Sequence, residues 1–150
     1  SVEESFDISV MQNGISKECL KYFDVNKEIT VASVSDILSR GSGLGSSSAF
    51  TVGLSKALYK LKSHQNLLPE DNAKIACDIE MNKCGFPVGK QDQYAASYGG
   101  FNLFEFHKNG SVLIDRLPIN NSWIKLESNL LLVYSGKGRS ANKILQKQKE

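Results

Sequence analysis

The sequence predicts an α/β fold, built as a two-layer α+β sandwich in which helices cover a sheet. Two observations predict this class. Strands come first along the chain, with a mixture of helices and strands after them, and a glycine- and serine-rich loop joins one strand to a helix. The chain has 150 residues, of which 41% are hydrophobic and 23% are charged. That length and composition are sufficient for a domain with a hydrophobic core.

The first half of the chain contains two predicted strands and two predicted helices. Residues 5–10 alternate polar and apolar side chains, and residues 28–34 are rich in β-branched residues, so both are predicted strands. Residues 16–23, between them, are a helix candidate. After the glycine-rich loop at residues 39–48, apolar side chains recur at helical spacing, which predicts a helix over residues 49–62.

The second half is predicted to be mixed. A helix over residues 70–84 begins after Pro69 and ends before Gly85, because proline favours the first helical turn and glycine the end. Residues 92–97 are a short predicted helix, and residues 101–106 and 112–117 are predicted to form a hairpin around Asn109-Gly110. The apolar run at residues 130–134 predicts a buried strand, and a helix is predicted over residues 140–149.

Charge, hydropathy and cysteine content narrow the function classes. The net charge of +2 does not indicate nucleic acid or an anionic membrane as a partner, and no apolar run approaches the roughly 18 residues of a membrane span. The lysines and arginines of residues 137–149 form either a basic patch or a solvated helix face. The three cysteines lack metal-ligand spacing, so we predict reduced thiols in a cytoplasmic protein.

The glycine loop is the sharpest motif in the sequence. Its glycines allow a tight turn with exposed backbone amides, and the following helix adds unpaired N–H groups and a positive dipole end. We therefore predict a phosphate site, with a plain turn followed by serine capping as the alternative. The final Gly-Lys-Ser/Thr of a Walker loop and the third glycine of a dinucleotide fingerprint are both missing. The predicted phosphate-binding residues are Gly41, Ser42, Gly43, Leu44, Gly45, Ser46, Ser47 and Ser48.

Two carboxylates are candidates for chemistry. On the predicted helix, Glu80 shares a face with Ala73, Ala76, Cys77 and Cys84, so a buried carboxylate there needs a hydrogen bond, an ion pair or a metal ion. The alternatives for Glu80 are a salt bridge to Lys83 or Lys90, or an exposed face. Asp92 opens the next helix, where aspartate is a common N-cap.

Residues 39–54, Ser-Arg-Gly-Ser-Gly-Leu-Gly-Ser-Ser-Ser-Ala-Phe-Thr-Val-Gly-Leu, resemble the central motif of the GHMP kinases, with Ser39 where that family has proline. The resemblance implies the GHMP kinase fold and an ATP-dependent sugar kinase whose loop holds the ATP phosphates. It also implies that Ser47 and Glu80 bind Mg²⁺, and that Asp92, in Gly89-Lys90-Gln91-Asp92-Gln93, orients or deprotonates the acceptor hydroxyl.

Residues 91–102 and 130–141 are similar to the D-glycero-D-manno-heptose 7-phosphate kinases within that family. This implies phosphorylation of the anomeric hydroxyl of that sugar phosphate. Lys90, Gly100 and Arg139 are candidate substrate contacts, and a solvated side chain is the alternative for Lys90 and Arg139. Other functions left open are a fucokinase-like or other hexose kinase, a non-catalytic homologue that binds sugar or nucleotide, and a plain structural domain.

The resemblance also predicts the domain organisation. Residues 1–125 correspond to the N-terminal, ATP-binding domain without its first strands, and residues 126–150 to the start of the C-terminal domain. The family's N-terminal sugar-contacting motif and its C-terminal glycine-rich motif do not occur in this sequence. We therefore expect the chain to be the middle part of a longer two-domain kinase, with ATP and a sugar phosphate as its small-molecule partners.

Overall fold

A computed structural model of the chain describes residues 7–25, 28–34 and 43–133. This part of the chain is α+β. The helices are α1 (Gly14–Tyr22), α2 (Ser46–Ser63), α3 (Pro69–Cys77), α4 (Gln91–Tyr98) and α5 (Asn121–Ser128). A 3₁₀ turn spans Ile8–Val10, and a π-helical turn spans Asp78–Lys83 directly after α3. The strands are β1 (Asn102–Phe106) and β2 (Val112–Arg116).

The helix ends follow from local chemistry. The Asn13 side chain caps α1 by accepting a hydrogen bond from the Ser16 amide at 3.0 Å. Helix α3 starts at Pro69, and two acidic residues in its first turn lie near the positive end of the helix dipole. The observed ranges of α1, α2, α3 with its π turn, and α4 confirm the predicted helices at residues 16–23, 49–62, 70–84 and 92–97, with boundaries shifted by a few residues.

Helix α2 is the centre of the packing. On one side it contacts α1, and the buried side chains there form a first core cluster of Cys19, Leu20, Phe23, Val25, Leu54, Leu58 and Ile79. On the other side it contacts α3 and α4. A second cluster, formed by Ala73, Cys77 and Tyr94, joins α3 and α4 to the hairpin. Helices α2, α3 and α4 are therefore held in one packed unit.

The hairpin is the one predicted sheet element that the structure confirms. Strands β1 and β2 pair antiparallel, with Phe104 opposite Ile114 and Phe106 opposite Val112. Gly110 has φ +87°, a conformation that glycine adopts without strain, and it closes the turn. Phe104, Val112 and Ile114 pack on the second cluster, while Leu103 and Leu113 face outward.

Three predicted strands are wrong in the residues that the structure describes. Ile8–Val10 form a 3₁₀ turn, which Asp7 caps by accepting from the Ser9 amide at 2.7 Å. Residues 28–34 and 130–133 form no strand, and residues 130–133 are 68–85% exposed. An alternating or apolar run becomes a strand only beside a hydrogen-bonded neighbour, and within the described ranges only β1 and β2 pair.

Some predictions are not tested. Residues 5, 6 and 134 and the predicted helix at 140–149 lie outside the described residues. The predicted domain boundary between residues 125 and 126 falls inside α5, and the division into two domains stays a prediction. No helix in the described part of the chain is long and apolar enough to cross a membrane.

Candidate active site

Glu80 is the most deeply buried acidic side chain of the described chain, at 1% exposure. Its Oε1 atom accepts hydrogen bonds from Thr51 Oγ1 at 2.6 Å and from Ser47 Oγ at 3.2 Å. Its Oε2 atom accepts from Ser48 Oγ at 2.8 Å and from Gln93 Nε2. Four donors fill the acceptor positions of one carboxylate, and this network compensates the cost of burying it.

The π-helical turn contains Glu80. Its backbone bonds run five residues back, as from the Cys84 amide to the Ile79 carbonyl at 2.8 Å. Ile79 and Glu80, which lie within this turn, are both buried, Ile79 in the first cluster and Glu80 against α2 and α4. Cys84, directly after the turn, packs against the first cluster, and the face that it was predicted to share with Glu80 stays a prediction. Single π turns inside helices are frequent at functional sites.

The structure contradicts both alternatives for Glu80, the salt bridge and the exposed face. No salt bridge joins Glu80 to Lys83 or Lys90, and the carboxylate is not on an exposed face. Lys90 Nζ instead donates to the Gly110 carbonyl at 3.0 Å. The carboxylate is therefore held by neutral donors, and no cation of the described part of the chain forms an ion pair with it.

The glycine loop ends at the start of α2. Gly43 and Gly45 have φ +73° and +67°, the left-handed conformation that favours glycine. Gly45 is the N-cap of α2 and contributes no side-chain cap, so the serine capping considered as an alternative does not form there. Ser47 and Ser48 instead direct their hydroxyl groups to Glu80. Predicted loop residues Gly41 and Ser42 lie outside the described residues; Leu44 and Ser46 are placed beside the two glycines.

Asp92 lies against this loop. It is the second residue of α4 and is exposed, while Lys90 occupies the N-cap position, so Asp92 is not the N-cap. A Cβ atom added at Gly45 would lie 3.3 Å from Asp92 Cγ and 3.5 Å from Asp92 Oδ2. The carboxylate of Asp92 is thus in close contact with the backbone that begins α2. The structure brings the described end of the loop, residues 43–48 with Ser47, together with Glu80 and Asp92, although these groups are far apart in sequence.

The candidate substrate contacts are Lys90, Gly100 and Arg139. Lys90 ties the start of α4 to the hairpin turn through Gly110. Gly100 follows α4, is exposed and has φ +73°. Arg139 lies outside the described residues. Their roles in binding a sugar stay predictions.

Sequence reasoning missed two residues of the Glu80 network, Thr51 and Gln93. Both have 0% exposure and both donate to the carboxylate. Thr51 lies four residues after Ser47, so it shares a helix face with a predicted ligand, and this spacing could have indicated it. For Gln93, the only signal in the sequence was its position directly after Asp92. Its Oε1 atom is buried without a hydrogen-bond partner in the described part of the chain.

The cysteines lie in the core beside this network. Burial raises the pKa of the Cys19 thiol to about 12 and that of the Cys77 thiol to about 11. Burial also raises the pKa of Cys84. All three are free thiols, and thiols with such pKa values are poor nucleophiles at neutral pH.

The donor set is suited to a hard cation rather than to zinc. No group of three or more His, Cys, Asp or Glu side chains that could hold a metal occurs in the described ranges. Mg²⁺ needs fewer protein ligands, because it keeps waters and binds substrate phosphates alongside one or two carboxylates. Ser47 Oγ and Glu80 Oε1 are 3.2 Å apart, close to the roughly 3 Å between adjacent oxygens of an octahedral Mg²⁺ site. The residues present fit this ion.

Comparison with known families decides the wider assignment. Residues 11–100 match the family described as GHMP kinases N terminal domain, and this stretch includes the loop glycines at 43 and 45, Glu80 and Asp92. The chain belongs to the GHMP kinase family. The family assignment agrees with the resemblance of the glycine loop and with the α+β architecture.

Two heptose phosphate kinases are relatives of this GHMP kinase chain. It is 41% identical over 117 residues to the D-glycero-alpha-D-manno-heptose 7-phosphate kinase of Campylobacter jejuni subsp. jejuni serotype O:2, covering 77% of this chain and 34% of that protein. The crystal structure of a D-glycero-D-manno-heptose 1-phosphate kinase from Bacteriodes thetaiotaomicron is similar, with TM-score 0.63 and 34% identity, covering 74% of this chain and 36% of that chain. The chain thus spans about a third of the length of both relatives.

Proposed function

We propose that this chain forms the nucleotide-binding and acidic part of an ATP-dependent sugar kinase, which transfers the γ-phosphoryl group of ATP to a sugar hydroxyl. One observation carries the proposal. The start of α2, the Ser47–Glu80 pair and Asp92 lie against one another. The Ser47 Oγ and Glu80 Oε1 atoms are 3.2 Å apart, and Asp92 Cγ would be 3.3 Å from a Cβ atom added at Gly45. Membership of the GHMP kinase family supports it.

The phosphates of ATP are proposed to bind at the N-terminus of α2. An α-helix leaves the N–H groups of its first turn without intrahelical acceptors, and the helix dipole adds a partial positive charge. Gly45 lacks a side chain that would cover these amides. This end of α2 is therefore suited to bind an anion through its backbone.

Ser47 and Glu80 are proposed to hold Mg²⁺ together with the phosphates. The ion, when bound, offsets the negative charge of the phosphates during transfer. Ser47 is exposed and makes the longest of the four hydrogen bonds to Glu80, at 3.2 Å. This bond can be given up to a cation, while the donors from buried Ser48, Thr51 and Gln93 keep the carboxylate in place.

Asp92 is proposed to orient the sugar hydroxyl and accept its proton. The hydroxyl oxygen forms a bond to the γ-phosphorus while the bond from that phosphorus to the leaving oxygen of ADP breaks, and the hydroxyl proton passes to the Asp92 carboxylate. Phosphoryl transfer depends mainly on such positioning and charge stabilisation. The exposure of Asp92 beside the loop leaves room for an acceptor next to the bound phosphates.

The proposed acceptor is the anomeric hydroxyl of D-glycero-D-manno-heptose 7-phosphate. The support is the 41% identity to a protein named a kinase of that sugar phosphate. The structural relative is titled a heptose 1-phosphate kinase, so a heptose phosphate is the class that both names share. The position that receives the phosphate is the part of the proposal that needs direct measurement.

The test is turnover by the intact protein with Mg²⁺ and ATP. Heptose 7-phosphate, heptose 1-phosphate and fucose are compared, and phosphorus NMR assigns the carbon that is phosphorylated. We expect ADP release with heptose 7-phosphate and a new phosphate on carbon 1. Asp92→Asn should lower kcat by about 10²- to 10⁴-fold, whereas Asp71→Asn, at an exposed aspartate in the first turn of α3, should leave kcat unchanged.

Other results would assign other functions. Preference for fucose would make the protein a hexose kinase. Nucleotide binding without turnover of any sugar would indicate a non-catalytic homologue. Absence of Mg²⁺-dependent nucleotide binding by the intact protein would refute the proposed kinase function.

A further inference from the structure

We propose that Gln93 is a positioning residue that joins the Glu80 carboxylate to α4, the helix that carries Asp92. The inference rests on the proposed function, because it assigns Gln93 the task of holding the two acidic groups of that site in register. It adds a residue that the predicted site did not contain.

The hydrogen bonds of Glu80 come from two helices. Ser47, Ser48 and Thr51 all belong to α2, and Gln93 belongs to α4. Gln93 Nε2 donates to Glu80 Oε2, and the side chain has 0% exposure. In the described network, Gln93 is thus the link between the carboxylate and the helix of Asp92.

The two ends of the Gln93 amide differ in what they contribute, because only the N–H end has a hydrogen-bond partner among the described residues. Gln93 Oε1 is buried without a hydrogen-bond partner in the part of the chain that the structure describes. An unpaired buried acceptor destabilises the folded state, and an apolar side chain of similar length would avoid that cost. The feature of Gln93 that an apolar residue cannot replace is the N–H that it donates to Glu80.

Consecutive residues on a helix point in directions about 100° apart. Asp92 therefore faces the exposed side beside Gly45 while Gln93 faces inward to Glu80. Any shift of α4 relative to Glu80 moves both side chains together. Removing the Gln93 donor should loosen the orientation of Glu80 and also the placement of Asp92.

This dual effect separates Gln93 from the other buried donors. Loss of Thr51, which lies on α2 and also contacts the Ser47 carbonyl, should disturb Glu80 and Ser47 but not the placement of Asp92. We therefore expect Gln93→Met to raise the Mg²⁺ requirement and also to lower kcat at saturating Mg²⁺. Thr51→Val should raise the Mg²⁺ requirement with a smaller fall in kcat.

The experiment compares Gln93→Met and Thr51→Val in the intact protein with a matched control, Gln91→Met. Gln91 is an exposed glutamine in the first turn of the same helix. Calorimetry measures how binding of ADP depends on Mg²⁺ concentration, and steady-state kinetics measure kcat. Changes to residues that orient a metal ligand typically cost about 10- to 100-fold in metal affinity, and that is the shift expected for Gln93→Met. Gln91→Met should stay within about twofold of wild type, since surface changes away from a site have small effects.

The outcomes distinguish this role from the proposed function. If the wild type binds ADP with Mg²⁺ but Gln93→Met behaves as Gln91→Met does, the role of Gln93 is refuted and the kinase proposal stands. If the wild type shows no Mg²⁺-dependent binding, both are refuted. If Gln93→Met does not fold, Gln93→Asn replaces it, because a side chain one methylene shorter keeps the amide but does not reach Glu80.

Discussion

Replacing Glu80 by glutamine should separate the charge of this side chain from its hydrogen bonds. Glutamine keeps one oxygen as an acceptor and adds an NH₂ group that needs acceptors. The hydroxyls of Ser47 and Ser48 can rotate to accept, and the Gln93 amide can turn over because its Oε1 atom has no partner in the described network. The four contacts can be remade, and turning the Gln93 amide only exchanges one unpaired buried group, Oε1, for another, the NH₂ group, so we expect the free energy of unfolding to change by about 1 kcal/mol or less.

Glu80→Leu should be far more damaging to the fold. Ser47 is exposed and can bond to water, and Thr51 Oγ1 retains the Ser47 carbonyl at 3.0 Å. Ser48 and Gln93 are buried, and their donors would lose their acceptor. At about 1–3 kcal/mol for each buried unpaired donor, the expected loss is about 2–6 kcal/mol.

Urea unfolding measures both variants, with Glu70→Gln as the control. Glu70 is an exposed glutamate on α3, paired with Lys74 at 2.6 Å, and losing such a pair costs about 0.3–0.5 kcal/mol. Both Glu80 variants should lose the Mg²⁺-dependent part of nucleotide binding. Glu80→Gln as unstable as Glu80→Leu would refute the remaking of the network. A Glu80→Gln variant that still responds to Mg²⁺ would refute the role of Glu80 as a ligand.

Three further predictions follow from the site and the core. Gly45→Ala should lower the free energy of unfolding, measured in urea, by about 1–2 kcal/mol, because Gly45 has a left-handed φ. Gly53→Ala, inside α2 and with no atom near a new Cβ, should instead raise the free energy of unfolding. Equal effects of the two changes would contradict this. Asp92→Asn should lower kcat about 10²- to 10⁴-fold with nucleotide affinity retained, and unchanged kcat would exclude Asp92 as the base. Burial raises the pKa of Cys19 to about 12, so the thiolate fraction of Cys19 is small at pH 8 and increases as the pH rises. Mass spectrometry at pH 8 should therefore show that iodoacetamide modifies half-buried Cys84 before Cys19. Earlier labelling of Cys19 would refute its burial.

The helices and the hairpin could be predicted because their signals are local. Pro69 before acidic residues, Gly85 after the π turn and Asn109-Gly110 between apolar runs each act over a few residues. The strands predicted at residues 5–10, 28–34 and 130–134 depended on partner strands that a local pattern does not reveal. The residues of these segments that the structure describes pair with no other strand there.

The site was predictable in its outline but not in its contacts. The glycine loop, Ser47, Glu80 and Asp92 were identified from short motifs and from a family resemblance. The contacts of Thr51 and Gln93 with Glu80 depend on how α2, α4 and the π turn pack, and sequence spacing does not give that arrangement. The π turn itself was missed, because the prediction placed residues 70–84 on a regular helix with about 100° per residue.

Ser47 and Glu80 are proposed to bind Mg²⁺ beside a nucleotide held at the start of α2, and the proposed function depends on this binding. The most direct measurement is thermal unfolding of the protein with and without Mg²⁺ and an ATP analogue. The wild type is compared with Ser47→Ala and with Ser63→Ala, a control at the other end of the same helix. At 100 times the dissociation constant, binding adds about 2.7 kcal/mol to the free energy of unfolding. We predict a Mg²⁺-dependent rise in Tm for the wild type and for Ser63→Ala that Ser47→Ala loses; no rise in the wild type, or an equal rise in Ser47→Ala, would contradict the claim.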